Sequence, residues 1–399
     1  MVPKEWETSK LGNYAIKIGS GITPKGGSSS YKLAGIPLIR SQNVHWGKLD
    51  LSDVAFIDDK QHLKMAGSSL QQNDALLNIT GASIGRVAIF ESNNEANVNQ
   101  HVCIIRTKNS LFPVYLKYFL LSHNGQKQIE RFQAGGNRQG LNFEQIKSFK
   151  LNIPPLPEQR KIAKILSTWD KAISTTERLI DNSKQQKKAL MQQLLTGKKR
   201  LSGFSELWTE IHLNDIGKCI TGLTYSPSDV VEKDGMLVLR SSNVQNGKLA
   251  FVDNVYVKSG LTVKSKTQDG DILVCVRNGS KNLIGKSALL RGRAVNQAHG
   301  AFMTIFRSKY SDYVFQLFQS GDYYKQVNKN LGATINSINT SDLHKFKFIM
   351  PTDEAEISAI ASCLSDADRE IKLLEQQLFD LKQEKKALMQ QLLTGKRRV

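Results

Sequence analysis

The strongest constraint on the fold is an internal repeat. The segment KKALMQQLLTGK at 187–198 recurs unchanged at 385–396, after 198 positions. Weaker matches keep nearly the same offset: PLIRSQNV (37–44) with LVLRSSNV (237–244), GKLD (47–50) with GKLA (247–250), VNQH (98–101) with VNQAH (295–299), and LNFEQIKSFKLNIP (141–154) with INTSDLHKFKFIMP (338–351). Twelve identities in register cannot be chance. The sequence therefore predicts two tandem copies of one unit.

Within each copy the composition changes sharply at one point. Residues 1–157 and 201–353 are rich in Gly, Ser and Asn and contain short apolar runs between turn residues, a pattern typical of short strands and loops. The segments 158–200 and 354–399 consist mainly of Lys, Glu, Gln, Leu and Ala, with proline before and glycine near the end, as in a long helix. We expect an α+β chain of two similar mixed α/β globular domains, 1–157 and 201–353, separated by two long helices.

The helical segments carry an apolar stripe with alternating steps of four and three residues, which is typical of a coiled coil. Its large apolar members are Ile162, Leu166, Trp169, Ile173, Ile180, Leu190 and Leu194 in the first copy, and Ile360, Leu364, Ile371, Leu374, Leu378, Leu381, Leu388 and Leu392 in the second. The same frame passes through Thr176, Ser183 and Lys187 in the first copy and through Ala367 and Lys385 in the second. Because the first helix delivers the chain to the second domain, pairing of the stripes predicts an antiparallel coiled coil with pseudo-two-fold symmetry. The alternative is that each helix packs only on its own domain. A helix of about 38 residues is about 57 Å long, which is longer than such a domain.

The charge of the chain favours a polyanionic partner. There are 55 Lys and Arg against 36 Asp and Glu, a formal net charge of +19, and both globular domains and the first helix carry an excess of basic residues. A long basic surface suits double-stranded DNA, whose phosphates give affinity independent of sequence. The alternative is a merely solvated basic surface. No apolar run approaches the roughly 18 residues of a membrane helix, so we expect a cytoplasmic protein without membrane contact.

Motifs for catalysis, metals and nucleotides are weak. The four cysteines and seven histidines are scattered without ligand spacing, which predicts no metal site. RNGSKNLIGKS at 277–287 has one residue too many for a phosphate-binding loop, and IGSGITP at 18–24 ends in a proline where a dinucleotide fold continues as helix. NIPP at 152–155 lacks the aromatic residue of an adenine methyltransferase motif. We therefore expect a chain that is not an enzyme and binds no cofactor.

The order of domain and helix, with the segments IPPLPEQRKIAKILSTWDKAI (153–173) and QQKKALMQQLLTGK (185–198), resembles the specificity subunit of type I restriction-modification systems. The second copy departs from this pattern, because its segment MPTDEAEISAIASCL (350–364) has Ala355 and Glu356 where the first copy has Glu158 and Gln159. The resemblance implies two target recognition domains that each read half of a bipartite DNA sequence. It also implies helices that dock two methyltransferase subunits.

The resemblance further implies where the chemistry takes place. S-adenosylmethionine, ATP and Mg are expected on partner subunits, the methyltransferases and a restriction subunit, and not on this chain. The partners would carry out adenine-N6 methylation and ATP-dependent cleavage.

Three groups of loop residues are candidates for DNA contact, because Arg, Lys, Asn, Gln, Ser and Thr make the contacts to bases and phosphates. The first group is Arg40, Ser41, Gln42 and Asn43 with Arg240, Ser241, Ser242 and Asn243. The second is Thr80, Ser83 and Arg86 with Arg277, Asn278, Ser280, Lys281 and Lys286. The third is Asn137, Arg138 and Gln139 with Thr334 and Asn336. The first group is similar in both copies, so it could equally well stabilise the fold or contact phosphates instead of reading bases. The third group differs between the copies and is therefore the better candidate for reading the base sequence.

Two other functions remain open from the sequence. One is a non-enzymatic coiled-coil interaction scaffold with general affinity for nucleic acid, which would bind DNA weakly and without sequence preference. The other is an RNA-binding module, although the paired aromatic residues of a base-stacking surface are not evident.

Overall fold

The computed structural model describes residues 3–133, 140–232, 234–261, 265–331 and 336–399. The chain divides into two compact units, and each unit is described by itself. Unit 1 consists of Met1–Glu177 and Gln376–Val399, and unit 2 of Arg178–Glu375. Each unit therefore contains one globular domain and one part of each long helix.

The globular domain of unit 1 is built from short strands and short helices. Its strands are β1 Glu7–Lys10, β2 Ala15–Ser20, β3 Ile36–Ile39, β4 Ala55–Ile57, β5 Ala75–Asn78, β6 Val87–Ile89, β7 Asn97–Val98, β8 Val102–Thr107 and β9 Lys150–Ile153. Its helices are α1 Leu11–Tyr14, α2 Asp59–Lys64, α3 Pro113–Leu121, α4 His123–Gln133 and α5 Phe143–Lys147, followed by the long α6, Leu156–Leu194.

The strands of unit 1 form small sheets that enclose its core. An antiparallel sheet has the order β2-β8-β5-β6, a second sheet has the order β4-β3-β7 with β3 parallel to β7, and β1 pairs with β9. Every residue of β5 is buried because this strand is central and covered on both faces. The core extends to the large side chains of α3, such as Tyr115 and Phe119, and to the start of α6 at Ile162 and Leu166.

Unit 2 has a largely matching set of elements. Its strands are β10 Trp208–His212, β11 Gly217–Thr221, β12 Val230–Val231, β13 Met236–Leu239, β14 Val244–Gln245, β15 Lys248–Leu249, β16 Val255–Val257, β17 Ile272–Cys275, β18 Ser287–Leu289, β19 Ala298–His299, β20 Met303–Ser308 and β21 Lys347–Pro351. Its helices are α7 Leu213–Ile216, α8 Ser311–Phe318, α9 Gly321–Lys329, α10 Thr340–His344 and the long α11, Glu354–Leu392. Compared with unit 1, it has three additional short strands (β12, β14 and β15) and no counterpart of α2 among its described residues.

The topology of unit 2 repeats that of unit 1, which confirms the predicted duplication. The antiparallel sheet is β11-β20-β17-β18, the mixed sheet is β12-β16-β13-β19, and β10 pairs with β21. One detail of the sequence comparison is wrong. Ile39 pairs with Val98 and Leu239 pairs with His299, so His299 occupies the place of Val98 and not that of His101. Matching VNQH to VNQAH misaligned this stretch because sequence identity outweighed strand register.

The two long helices have 39 residues each, and each ends three residues before a glycine. Gly197 and Gly395 have φ of +67° and +71°, the left-handed conformation in which a helix commonly terminates. In unit 1 the ion pairs Glu177–Lys382 (2.8 Å) and Asp170–Lys385 join the two helices, and their residue numbers increase along one helix as they decrease along the other. In unit 2, Lys184–Glu375 (3.0 Å) does the same. The predicted antiparallel pairing of the helices is thus present in each unit.

A charged position inside the stripe pairs the helices in both units. In unit 2, Nζ of Lys187 donates to both carboxylate oxygens of Asp368 at 2.7 and 2.6 Å, and Nε2 of Gln316 donates to the same carboxylate at 3.0 Å. Unit 1 repeats the arrangement with Lys385 and Asp170, where the Tyr118 hydroxyl donates to Asp170 at 2.6 Å. A polar pair at a core position of a coiled coil favours one register over others.

None of the predicted stripe residues is exposed. The buried ones are Ile162, Leu166, Ile180, Leu194, Ile360, Leu364, Ile371 and Leu392. The half-buried ones are Trp169, Ile173, Leu190, Leu374, Leu378, Leu381 and Leu388. The ends of the stripe also join the cores of the globular domains, as Leu392 does in unit 1 and Leu194 in unit 2. The helix ends therefore pack on the domains in addition to pairing with each other.

A buried carboxylate anchors the start of each long helix. In unit 2, Arg200 donates to both oxygens of Glu356 at 2.6 Å, and Nε1 of Trp208 donates to it at 3.2 Å. In unit 1, Arg398 and Trp6 bind Glu158 in the same way. Glu356 is therefore the counterpart of Glu158, and the alignment that paired it with Gln159 is wrong by one residue.

Candidate nucleic-acid interface

The first two groups of candidate residues lie side by side in each unit. In unit 1 the segment Ser41–Asn43 follows β3 and the segment Gly81–Ser83 follows β5. Nδ2 of Asn78, the last residue of β5, donates to the backbone oxygens of Ser41 (2.8 Å) and Val44 (3.3 Å) and so joins the two loops. Loops from two different sheets are thereby brought to one place on the domain.

Unit 2 makes the same connection with a different side chain. Cys275 stands where unit 1 has Asn78, and Nζ of Lys286 donates instead to the backbone oxygens of Ser241 and Val244. Burial lowers the pKa of Lys286. Nδ2 of Asn278 adds a bond to the Ser241 hydroxyl at 3.0 Å. In this arrangement Lys286 supports the loop, whereas the side chain of its counterpart Arg86 makes no hydrogen bond or ion pair with any described residue.

The third group is only partly described. Asn137, Arg138, Gln139 and Thr334 lie outside the described residues. Asn336 lies against the second loop, because its Nδ2 donates to the Gly279 oxygen at 3.0 Å and its backbone oxygen accepts from Asn278 at 3.2 Å. In unit 1, Gly140 forms a bridge with Thr80 at the corresponding place. The residues flanking the third group therefore adjoin the second group in both units.

Two of the candidate residues are parts of the loop scaffold. Asn43 and Asn243 are buried, and their side-chain oxygens accept from the backbone N–H of Arg40 and Arg240 at 3.0 and 2.9 Å. Their Nδ2 groups donate to backbone oxygens across the turn, including that of Ala250 at 2.9 Å. With both ends of the amide engaged, these side chains hold the turn and do not face outward.

The other residues of the first group are tied to their own loop. Arg240 forms an ion pair with Asp253 at 2.8 Å, and Nη2 of Arg40 donates to the Asp53 oxygen at 3.3 Å. Nε2 of Gln42 donates to the Asp53 carboxylate at 2.8 Å. Ser41, Ser241 and Ser242 are half-buried. A contact to DNA through these arginines would compete with an existing partner.

Two cations of the second group in unit 2 have no hydrogen-bonding or ionic partner among the described residues. Arg277 and Lys281 are exposed, and neither side chain forms a hydrogen bond or ion pair within the described part of the chain. Ser280 is exposed beside them, whereas Ser83 in unit 1 is half-buried and donates to the Thr80 oxygen at 3.4 Å. Unpaired cations on a loop can meet phosphates or base edges without first breaking an internal bond.

One further pair of equivalent residues, His101 and Phe302, lies beside the second group and was not predicted from the sequence. Ile79 N donates to the His101 oxygen and Val276 N donates to the Phe302 oxygen, so His101 and Phe302 occupy equivalent positions. In unit 1, Nδ1 of His101 is hydrogen-bonded to the Thr80 hydroxyl at 2.6 Å. In unit 2 the guanidinium of Arg277 lies over the ring of Phe302, 5.8 Å from its centre. The misaligned VNQH match hid this correspondence.

The hydrogen-bonded row in unit 1 continues beyond His101. Nε2 of Gln100 lies 3.0 Å from Nε2 of His101, and the Thr23 hydroxyl is bonded to Oε1 of Gln100. Unit 1 therefore presents a row of hydrogen-bonded polar side chains where unit 2 presents an arginine beside an aromatic ring.

No helix in the described ranges has the length and apolar character needed to span a membrane. No cluster of three or more His, Cys, Asp or Glu side chains in the same ranges could hold a metal ion.

Comparisons with known proteins agree with this architecture. The model of the type I restriction modification DNA specificity domain matches twice, at residues 3–183 and 205–383. A Methanocaldococcus jannaschii protein described as the MjaX type I restriction enzyme specificity subunit is 30% identical, covering 100% of this chain and 95% of that protein. The MjaVIII type I restriction enzyme specificity subunit of the same organism is 26% identical over 100% of this chain and 94% of its own length.

A solved structure shares the fold. The crystal structure of the S subunit of a type I restriction-modification system from M. genitalium superposes with a TM-score of 0.60 at 13% identity, covering 98% of this chain and 96% of that one. The chain therefore belongs to the family of type I restriction-modification DNA specificity subunits, with two copies of the specificity domain.

Proposed function

We propose that this chain is the sequence reader of a type I restriction-modification complex, in which each globular domain reads one half of a bipartite duplex site. The observation that carries the proposal is the duplicated loop cluster. The same loops are joined at the same place in both units, yet the side chains that they present differ. A shared scaffold with different exposed groups suits two domains that read different sequences.

The contacts divide by chemistry. Arg86, Arg277, Lys281 and Ser280, with the third group, are proposed to meet DNA directly, and Arg40, Arg240 and Gln42 to act from their tethered positions. Asn43, Asn243 and Lys286 hold the loops. The net charge of +19 supplies attraction to phosphates for all sequences, and base contacts add the specificity.

The long helices are proposed to act as the spacer between the half-sites and as the docking surface for two methyltransferase subunits. The proposed domain limits are 1–157, 158–200, 201–353 and 354–399. On this proposal S-adenosylmethionine, ATP and Mg bind to the methyltransferase and restriction subunits. The chain itself contributes binding and orientation, while the partners methylate adenine N6 or cleave.

A gel-shift series tests this function. Bipartite duplexes of varied spacer length are mixed with the complex of this chain and its methyltransferase partner. The proposal predicts one sharp optimum of spacer length, because both domains engage only at a set phase of the helical turn. A smooth dependence on duplex length, or equal binding to unrelated sequences, would contradict it and favour an interaction scaffold with general nucleic-acid affinity.

A further inference from the structure

We propose that Arg277, held on the ring of Phe302, selects a guanine in the half-site read by unit 2. The inference rests on the proposed function and names the contact that distinguishes the two domains at one equivalent position. Phe302, the partner of Arg277, has an exposed aromatic side chain.

The pair is placed by rigid structure. Val276 and Arg277 follow directly on β17, and Phe302 directly precedes β20. The backbone N–H groups of Val276 and Arg277 both donate to the backbone oxygen of Phe302 at 3.1 Å. Arg277 also forms a bridge with Ser337. An arginine anchored on both sides of its backbone can present its side chain in a repeatable direction, as base readout requires.

The side chains suit the reading of guanine. Phe302 is 58% exposed, so its ring is available as a platform for the guanidinium. A guanidinium within about 6 Å of a ring centre is attracted to the face of the ring, which restricts the directions of the arginine side chain and leaves its N–H groups free. Those groups match O6 and N7 of guanine in the major groove, where arginine makes its commonest specific contact. No described side chain competes for these N–H groups.

Unit 1 supports the inference by contrast. Its equivalent pair, Thr80 and His101, is hydrogen-bonded internally at 2.6 Å and carries no guanidinium. The loop after β5 is also shorter, since seven residues separate Asn78 from Arg86 whereas ten separate Cys275 from Lys286. The two domains thus differ in the group that they present at one shared position, which is where different half-sites must be distinguished.

The test is the methylated motif. The full chain is expressed with its methyltransferase partner in a host without adenine methylation, and the modified motif is read by single-molecule sequencing for the natural chain, R277A, R277K and F302A. We expect R277A and R277K both to lose one guanine from one half-site, with discrimination falling roughly 5- to 150-fold at that position. F302A should relax the same position, and the other half-site should not change.

The control is K281A in the same loop, which should lower methylation at all sites alike because lysine there is expected to contact phosphate. The inference is overturned if R277A keeps the complete motif, or if R277K restores it, since a charge alone would then suffice. Failure of the proposed function would look different, because the natural chain itself would then give no bipartite motif.

Discussion

The ion pair at the stripe position of unit 2 gives a quantitative prediction. The side chain of Lys187 is 13% exposed, and its Nζ lies 2.7 and 2.6 Å from the carboxylate oxygens of Asp368, whose side chain is 44% exposed. Replacing Lys187 by Met keeps the apolar stem and leaves Asp368 with Gln316 and water as partners. Breaking a fully buried pair costs about 3–5 kcal/mol, and an exposed pair contributes about 1 kcal/mol or less. Because Asp368 is nearly half exposed, we expect a loss of about 1–2 kcal/mol.

Hydrogen exchange of the amides in 178–194 measures the effect locally, as the free energy of opening with and without the substitution. In the double variant K187M/D368N the loss should be smaller, because no charge is left unpaired and the amide oxygen at position 368 still accepts from the buried Gln316. The control is K184M, whose pair with Glu375 has a lysine that is 53% exposed, and which should cost less than about 0.5 kcal/mol. Equal protection in K187M and the natural chain, or a further loss in the double variant, would refute the reasoning.

Three other substitutions follow from the contacts. Asn243→Ala should lower the free energy of unfolding by about 2 kcal/mol, because the Arg240 N–H and the Ala250 oxygen lose a buried partner, and a melting temperature equal to that of the natural chain would contradict the scaffold role. Glu356→Gln should destabilise unit 2 by about 2 kcal/mol, since Arg200 loses a charged bidentate acceptor, and chemical denaturation of the variant would contradict this if the midpoint did not move. Burial lowers the pKa of His299 below 6.5, so on acidification the unfolded chain takes up a proton before the folded chain does, and stability should fall as the pH is lowered from about 7 to 5. His299→Val, which introduces the residue that unit 1 has at the equivalent position, should flatten the dependence of melting temperature on pH. An unchanged dependence would contradict this.

The duplication, the two domains and the paired helices could be predicted because their signals are strong and local. Twelve identical residues fix the repeat, and a stripe with a period of 3.5 residues is visible only where a helix has a partner. The same stripe explains why Lys187 and Lys385 stand in an apolar frame. Their partners Asp368 and Asp170 could not be assigned, because the pairing depends on the relative register of two helices far apart in sequence.

The candidate interface was predicted only in outline. The sequence indicated the right loops, but it could not distinguish Asn43, which bonds its own turn, from Arg277, whose side chain is unpaired. It also could not show that Lys286 makes the hydrogen bonds to the first loop that Asn78 makes in unit 1. The two residues stand at opposite ends of a loop whose length differs between the units. Burial and hydrogen-bond partners, which separate scaffold residues from contact residues, depend on the folded domain.

The central claim is that paired helices hold two reading domains at a fixed separation, and the spacer of the methylated motif tests it most directly. Deleting 178–184 and 372–378 removes seven residues from each long helix and keeps each stripe in phase, because the stripe repeats every seven residues. Seven residues at 1.5 Å each shorten the helices by about 10.5 Å, which corresponds to about three base pairs at 3.4 Å. Three base pairs are about a third of a helical turn, so the account predicts that methylation at the natural spacer is lost and that any motif recovered combines the same half-sites with a shorter spacer. The same half-sites with the original spacer would contradict it.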